Sequence, residues 1–135
     1  MDFVTVEIDI QPDGSIKAVP NPVGAASGDV LRIHIRSNQS DKEKVKVTFK
    51  GGAKSPFGNR DSSTDGDASP CNGPTHGVEW PEGATEGRVI VEVHGSPVVA
   101  TAEIIVHRIV ARQLSAGAGP CVVNNYYFCD CCKGR

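Results

Sequence analysis

Apolar residues at every second position between Gly28 and Lys50 are the feature that most restricts how this chain can fold. Two runs carry the pattern, and one side of each run is formed by Leu31, Ile33 and Ile35 and by Val45, Val47 and Phe49. Such alternation is typical of a strand with one buried and one solvent-facing side. We therefore predict two strands, joined by a polar turn into a hairpin.

Further segments fit the same pattern. Alternating or Val- and Ile-rich runs occur over residues 3–10, 15–20, 87–94 and 101–110. Only seven of the 135 residues are aromatic, so Val and Ile must fill most of the core, and β-branched side chains favour strands. The sequence predicts an all-β fold, an antiparallel Greek-key β-sandwich, with no helix.

The predicted sandwich domain covers residues 1–112, with two irregular parts. Residues 51–85 are rich in Gly, Pro, Ser and Asp and show no periodicity, so we expect one long loop whose ends are fixed by Phe57 and Trp80. Residues 113–135 form a small-residue linker and a Cys-rich tail, in which Asn124-Asn125 would suit the turn of a short hairpin.

The order of these signals resembles the cupredoxin-like sandwich. Gly28-Asp29 opens a strand, Ser55-Pro56-Phe57 follows the next strand, and a final hairpin spans residues 87–110. Small bacterial proteins of unknown activity share this order, and an immunoglobulin-like sandwich is the alternative. Blue-copper members hold their metal with two His, a Cys and usually a Met. The loop at residues 94–100 has His94 but no Cys or Met, so the resemblance implies the fold without the copper site.

Cysteines and histidines suggest a second kind of site. Four of the five cysteines crowd the C-terminus, and thiolates bind zinc and monovalent copper. The candidate ligands are Cys71, His76, Cys121, Cys129, Cys131 and Cys132. Three interpretations stay open for the tail: a metal site, a disulfide such as Cys121 with Cys129, or reduced thiols. We expect no cofactor, with zinc or copper as the alternative.

Cations alternate with the apolar residues of the first two runs and predict a basic sheet face. The proposed partner contacts are Arg32, His34, Arg36, Lys44, Lys46, Phe57 and Trp80. This face would dock an acidic protein, or would simply be solvated. His34 and His94 are expected to face outward on neighbouring strands, as surface histidines or as a pair.

Several classes of function are disfavoured. The formal net charge is −2, and no exposed aromatic residues interleave with the cations, so a nucleic-acid partner is not expected. The sequence lacks a Gly-x-Ser-x-Gly elbow, a phosphate loop and a His-Glu-x-x-His motif, which favours a non-catalytic protein. No signal peptide or membrane-spanning run is recognised, so we expect a cytoplasmic protein with no membrane partner. The oligomeric state stays open.

Overall fold

The computed structural model describes residues 2–36, 43–94 and 99–110, which form nine strands and no helix. The strands are β1 (Phe3–Ile10), β2 (Ile16–Val19), β3 (Val23–Ala25), β4 (Val30–Arg36), β5 (Glu43–Phe49), β6 (Ser62–Ala68), β7 (Thr75–Gly77), β8 (Glu86–His94) and β9 (Val99–Arg108). A four-stranded sheet has the order β2-β1-β4-β7, and a five-stranded sheet has the order β3-β9-β8-β5-β6. The predicted all-β class is confirmed.

The core lies between the two sheets and is almost entirely aliphatic. The four-stranded sheet contributes Val4, Val6, Ile8, Leu31, Ile33 and Ile35. The five-stranded sheet contributes Val45, Val47, Phe49, Val89, Val91, Val93, Ile104 and Val106. None of these side chains is more than 9% exposed. Burying one such side chain contributes roughly 1.5–3 kcal/mol, so the alternating pattern accounts for the sandwich energetically as well as geometrically.

Both sheets are mixed, whereas the sequence predicted antiparallel ones. Strand β1 pairs parallel with β4, and β3 pairs parallel with β9. The cause is the chain path after β2, because β3 belongs to the other sheet before the chain returns to the four-stranded sheet as β4. Alternation reports which side of a strand is buried and is silent on strand direction.

The predicted hairpin between Gly28 and Lys50 is wrong. Both strands exist, but β4 belongs to the four-stranded sheet and β5 to the five-stranded sheet. Strand β4 lies between β1 and β7, and β5 lies between β8 and β6. The two apolar sides therefore contribute to the core from opposite layers, and the two polar sides lie on opposite outer faces.

The segment at residues 51–85 is more regular than expected. It contains β6, which pairs with β5 along its full length, and the short strand β7, which pairs with β4. Strand β6 reads Ser-Ser-Thr-Asp-Gly-Asp-Ala and is an edge strand, where charged side chains are common, so it shows no apolar alternation. As predicted, Phe57 and Trp80 are buried and fix this segment to the sandwich.

The predicted linker and Cys-rich tail, including its possible hairpin, lie outside the described residues. Over the part of the chain that is described, no helix has the length and apolar character needed to cross a membrane.

Candidate binding groove at the edge of the four-stranded sheet

The Ser55-Pro56-Phe57 connection forms one wall of the groove. The Ser55 hydroxyl donates to the carbonyl of Lys50 and accepts the Phe57 N–H at 2.9 Å. The Pro56 carbonyl accepts the Glu79 N–H at 2.9 Å. This motif therefore ties the end of β5 to the chain that follows β7.

Trp80 fixes the opposite wall. Its indole Nε1–H donates to the Ala25 carbonyl at 2.9 Å, and its backbone N–H donates to the Ser27 hydroxyl at 2.8 Å. The side chain is only 7% exposed. Because the indole satisfies its polar atom inside the core, the chain after β7 is held firmly against the turn that precedes β4.

Gly28 and Asp29 form the turn at the base. Gly28 adopts a φ of +95°, which a side chain would disfavour. The buried Asp29 carboxylate accepts the Ala26 N–H at 2.9 Å, closing the turn. The Asp29 carbonyl accepts the Val78 N–H at 2.9 Å, so this turn is also hydrogen-bonded to the residue that follows β7.

Between these walls lies an open groove of about 600 Å³. Most of its exposed lining is apolar. Its walls come from three stretches of chain, Gly28–Val30, Ser55–Asn59 and His76–Glu79, together with Pro81. Concave, mostly apolar surfaces with a few polar groups are the usual form of binding sites.

Strand β7 borders the groove and pairs with β4 through alternate residues. The Ile33 N–H donates to the Pro74 carbonyl at 3.0 Å, and the Val78 N–H donates to the Asp29 carbonyl at 2.9 Å. In an antiparallel pair, only every second residue directs its backbone groups at the partner strand. His76, midway between Pro74 and Val78, is therefore the residue of β7 whose backbone groups face β4.

The backbone groups of Thr75 and Gly77 consequently face away from β4. The Gly77 carbonyl lies 2.7 Å from Nδ1 of the neighbouring His76 ring. Within the described residues, the N–H and C=O of Thr75 and the N–H of Gly77 have no hydrogen-bond partner. They form an open sheet edge beside the groove.

His76 points toward the core side of β7. Its ring lies 5.0 Å from the Phe49 ring and 5.4 Å from the Phe57 ring, measured between centroids. Aromatic packing of this kind fixes the ring at the inner wall of the groove. Among the described residues, no group of three or more His, Cys, Asp or Glu side chains is placed to hold a metal ion.

Cys71, the other predicted ligand in this region, is disulfide-bonded. A thiolate is the form of cysteine that binds metal, so a sulfur in a disulfide is not available as such a ligand. The remaining predicted ligands, Cys121, Cys129, Cys131 and Cys132, lie outside the described residues.

The residues predicted to contact a partner are not brought together. Arg32, His34 and Arg36 lie on the four-stranded sheet, whereas Lys44 and Lys46 lie on the five-stranded sheet. A single basic face is therefore not formed. Phe57 and Trp80 are 4% and 7% exposed, so they support the groove from within and are not exposed contacts.

Most of the predicted basic residues already have partners in the fold. Arg32 donates to the Thr5 hydroxyl at 2.7 Å and lies 4.4 Å above the Phe3 ring. The ion pairs are Arg36 with Glu7 at 3.0 Å, Lys44 with Asp67 at 3.5 Å and Lys50 with Asp61 at 2.9 Å. Lys46 lies between Asp65 and Glu92 in the strand register. These pairs balance the positive charge locally.

His34 is buried at 2% exposure, although it was predicted to face solvent. Burial lowers its pKa to about 4, helped by Arg32 and opposed by a hydrogen bond to the backbone of Pro70. Its Nδ1 atom is buried with no hydrogen-bond partner. His34 and His94 lie in different sheets, so the predicted pairing does not occur.

Sequence reasoning missed the residues that open the edge, Thr75 and Gly77, together with the wall residue Asn59. A three-residue strand bordered by Pro74 and Val78 gives no periodic signal. In the sequence, Ser55-Pro56-Phe57 supports only the resemblance to the cupredoxin-like sandwich, although Ser55 and Pro56 form one wall of the groove.

No protein-family model matches the sequence, and no similar curated protein is found.

Proposed function

We propose that this protein is a non-catalytic binding module that receives an extended segment of a partner protein along β7. The observation that carries this proposal is the open backbone of Thr75 and Gly77 beside a mostly apolar groove. The segment at residues 51–85, predicted to form the binding surface, supplies β7 and most of the groove walls.

The expected mode of binding is the addition of one strand to the sheet. A partner in extended conformation would accept from the N–H groups of Thr75 and Gly77 and donate to the carbonyl of Thr75. In this mode, main-chain hydrogen bonds supply affinity, and pockets for alternate side chains supply specificity. Pro56, Phe57 and Val78 line the groove, so apolar side chains should be preferred at those positions.

The test is a displayed library of random extended peptides, with enriched sequences measured by calorimetry. Thr75→Pro removes the outward N–H, while β4 remains paired through His76, so peptide affinity should fall at least tenfold. Proline is tolerated at strand positions whose N–H faces outward. Thr75→Val keeps the N–H and serves as the matched control.

Equal binding by Thr75→Pro and Thr75→Val would show that peptides do not add to β7. If no peptide is enriched on the native protein or on its reduced form, the proposed function is wrong.

A second candidate, thiol redox activity, is favoured by the disulfide at Cys71. Disulfides in a reducing compartment are usually catalytic or redox-sensing, so this candidate agrees with the expected cytoplasmic location. Thiol titration with elemental analysis distinguishes it from zinc or copper binding. Replacing Cys129, Cys131 and Cys132 by Ser should abolish any metal held by the tail.

We also propose that the sandwich is cupredoxin-like. Gly28-Asp29 forms the turn into β4, and Ser55-Pro56-Phe57 follows β5, as the resemblance requires. An experimental structure, superposed on solved cupredoxin-like domains, tests this assignment.

A further inference from the structure

The imidazole of His76 has one ring nitrogen bonded within the fold and one that remains available. Its Nδ1 atom lies 2.7 Å from the Gly77 carbonyl oxygen. Because a carbonyl oxygen can only accept, Nδ1 must carry the hydrogen of this bond. In the uncharged ring the other nitrogen, Nε2, is then an acceptor with a free lone pair. The fold therefore selects one of the two tautomers of His76.

The Nε2 atom of His76 is open to the groove. Within the described ranges it has no hydrogen-bond partner, and it is accessible to solvent. His76 belongs to the lining of the groove, most of which is apolar. A bound segment that covers Nε2 removes its water, and this is unfavourable unless the segment supplies a donor in return.

The neighbours of the His76 ring hold it in place without satisfying it. The ring lies 5.0 Å from the Phe49 ring and 5.4 Å from the Phe57 ring, measured between centroids. Phe49 and Phe57 are buried, and their side chains contain no hydrogen-bond donor. The acceptor therefore has a fixed position, and its donor must come from a ligand.

The register of an added strand determines which partner residue meets His76. An antiparallel strand would bond to the outward backbone groups of Thr75 and Gly77, so His76 would form the pair between these two bonded positions. Residues in such a pair have the closest Cα atoms in an antiparallel ladder, about 4.5 Å apart. Their side chains also lie on the same face of the sheet. The partner residue opposite His76 would thus direct its side chain into the groove beside Nε2.

We propose that His76 determines the specificity of the groove, because the partner residue opposite it must carry a hydroxyl that donates to Nε2. This inference rests on the proposed function, since it names the chemistry of the segment that adds to β7. Thr suits this position best, because β-branched residues favour strands and its methyl group fits an apolar lining. A carboxylate has no hydrogen to donate and would lose its solvation in the groove.

The test uses the library peptide of highest affinity, measured by calorimetry at pH 8, where imidazoles are normally uncharged. Each hydroxyl residue of the peptide is replaced in turn, Thr by Val and Ser by Ala. One of these replacements should weaken binding to the native protein by about fivefold or more, because it leaves Nε2 covered without a donor.

Two variants show whether this loss depends on His76. His76→Phe keeps an aromatic ring beside Phe49 and Phe57 but has no acceptor, so the same replacement should then change the affinity by less than about twofold. His107→Phe is the control, because His107 is an exposed histidine on β9 in the other sheet, and the fivefold loss should persist. A peptide without a sensitive hydroxyl, or an equal loss in His76→Phe, would overturn the proposal.

Nuclear magnetic resonance tests the proposal on the native protein, without any variant. Long-range nitrogen–proton spectra show which nitrogen of an imidazole carries hydrogen. At pH 8, His76 should be protonated on Nδ1 alone, and peptide binding should shift its Nε2 resonance. A hydrogen on Nε2 in the free protein, or an Nε2 resonance that binding leaves unchanged, would overturn the proposal.

Failure of this inference can be distinguished from failure of the proposed function. If peptides bind and Thr75→Pro weakens them, but no hydroxyl depends on His76, strand addition stands and the role of His76 is excluded. If no library peptide binds the native or the reduced protein, the proposed function is wrong, and this inference is wrong with it.

Discussion

The indole nitrogen of Trp80 donates to the carbonyl oxygen of Ala25 across 2.9 Å in the core. This bond joins the chain that leaves β7 to the end of β3, and so connects the groove wall to the five-stranded sheet. A groove held by such a contact keeps its shape without a bound partner, which lowers the entropic cost of binding.

Trp80→Phe should destabilise the protein by about 1–3 kcal/mol, because it removes the indole donor from the Ala25 carbonyl, which keeps only the Ile109 N–H, and because the smaller ring leaves a space in the core. The measurement is urea unfolding followed by far-ultraviolet circular dichroism, since Trp80 is the sole tryptophan and its fluorescence is lost in the variant. Phe3→Leu is the control, because Phe3 is 52% exposed and its change should stay below about 1 kcal/mol. Equal effects in both variants would contradict this role for the indole.

The burial of His34 makes stability depend on pH. The pKa of His34 falls from 6.5 to about 4 in the folded protein, so the unfolded chain binds more protons between these values. Above pH 6.5, protonation of His34 does not lower the free energy of unfolding. As the pH falls from 6.5 toward 4, protonation of the unfolded chain lowers this free energy by roughly 1–3 kcal/mol.

Glu7 on β1 lies opposite His34, and its own burial raises its pKa. The free energy of unfolding that Glu7 contributes therefore falls as the pH rises above 4.5, which is opposite to the effect of His34. Urea unfolding at pH 4.5 and 7 should therefore show a smaller pH difference in His34→Gln than in the native protein. An unchanged difference would assign the pH dependence to other groups.

Ser55→Ala removes a hydroxyl that both donates to Lys50 and accepts from Phe57. We expect a loss of about 1–3 kcal/mol in the free energy of unfolding, with weaker peptide binding because a groove wall loosens. Ser63→Ala, at an exposed position of β6, should change stability by less than about 0.5 kcal/mol. The measurement is thermal unfolding of the two variants under the same conditions. If Ser55→Ala is as stable as the native protein, the Ser55 hydroxyl does not support the groove wall.

Gly73→Ala should displace residues 69–74 from β4, to which they are hydrogen-bonded through the carbonyls of Ser69 and Pro74. A Cβ at this position would lie 1.6 Å from the Ile33 carbonyl oxygen, a clash that only backbone movement can relieve. We expect a loss of more than about 2 kcal/mol, together with faster amide exchange at Ile33 and Ile35. Gly66→Ala is the matched control, because nothing lies within 4 Å of its Cβ. If both variants unfold alike in urea, the close approach of Gly73 to the Ile33 carbonyl is wrong.

The sequence pattern was sufficient to locate most of the long strands. Apolar residues alternate from Val4 to Ile10, and β1 has the predicted bounds, Phe3–Ile10. The pairing of β4 could not be predicted in this way, because Ile33 and Val47 have identical signatures whether their strands are neighbours or face each other across the core. Periodicity reports burial, and burial is shared by both arrangements.

The candidate site was harder to predict for a different reason. Thr75 and Gly77 belong to the candidate site through their backbone N–H and C=O groups. Every residue except proline has both groups, so the residue types at these positions give no indication of a site. For His34, the side chain itself was misleading. A polar side chain on the predicted outer side of a strand indicates exposure to solvent, but His34 is buried. A contact with a distant loop, here Pro70, leaves no local trace in the sequence.

The parallel pairing of β3 with β9 has a consequence for how the protein is made. Val23 pairs with Val106. Strand β3 therefore cannot form its hydrogen bonds until β9, which lies about 80 residues later in the sequence, is available. Such long-range pairing slows folding, because chain closure precedes the contacts that compensate for it. During synthesis, the five-stranded sheet stays incomplete until β9 has left the ribosome, and a nascent chain stopped before Ile104 should remain sensitive to proteases.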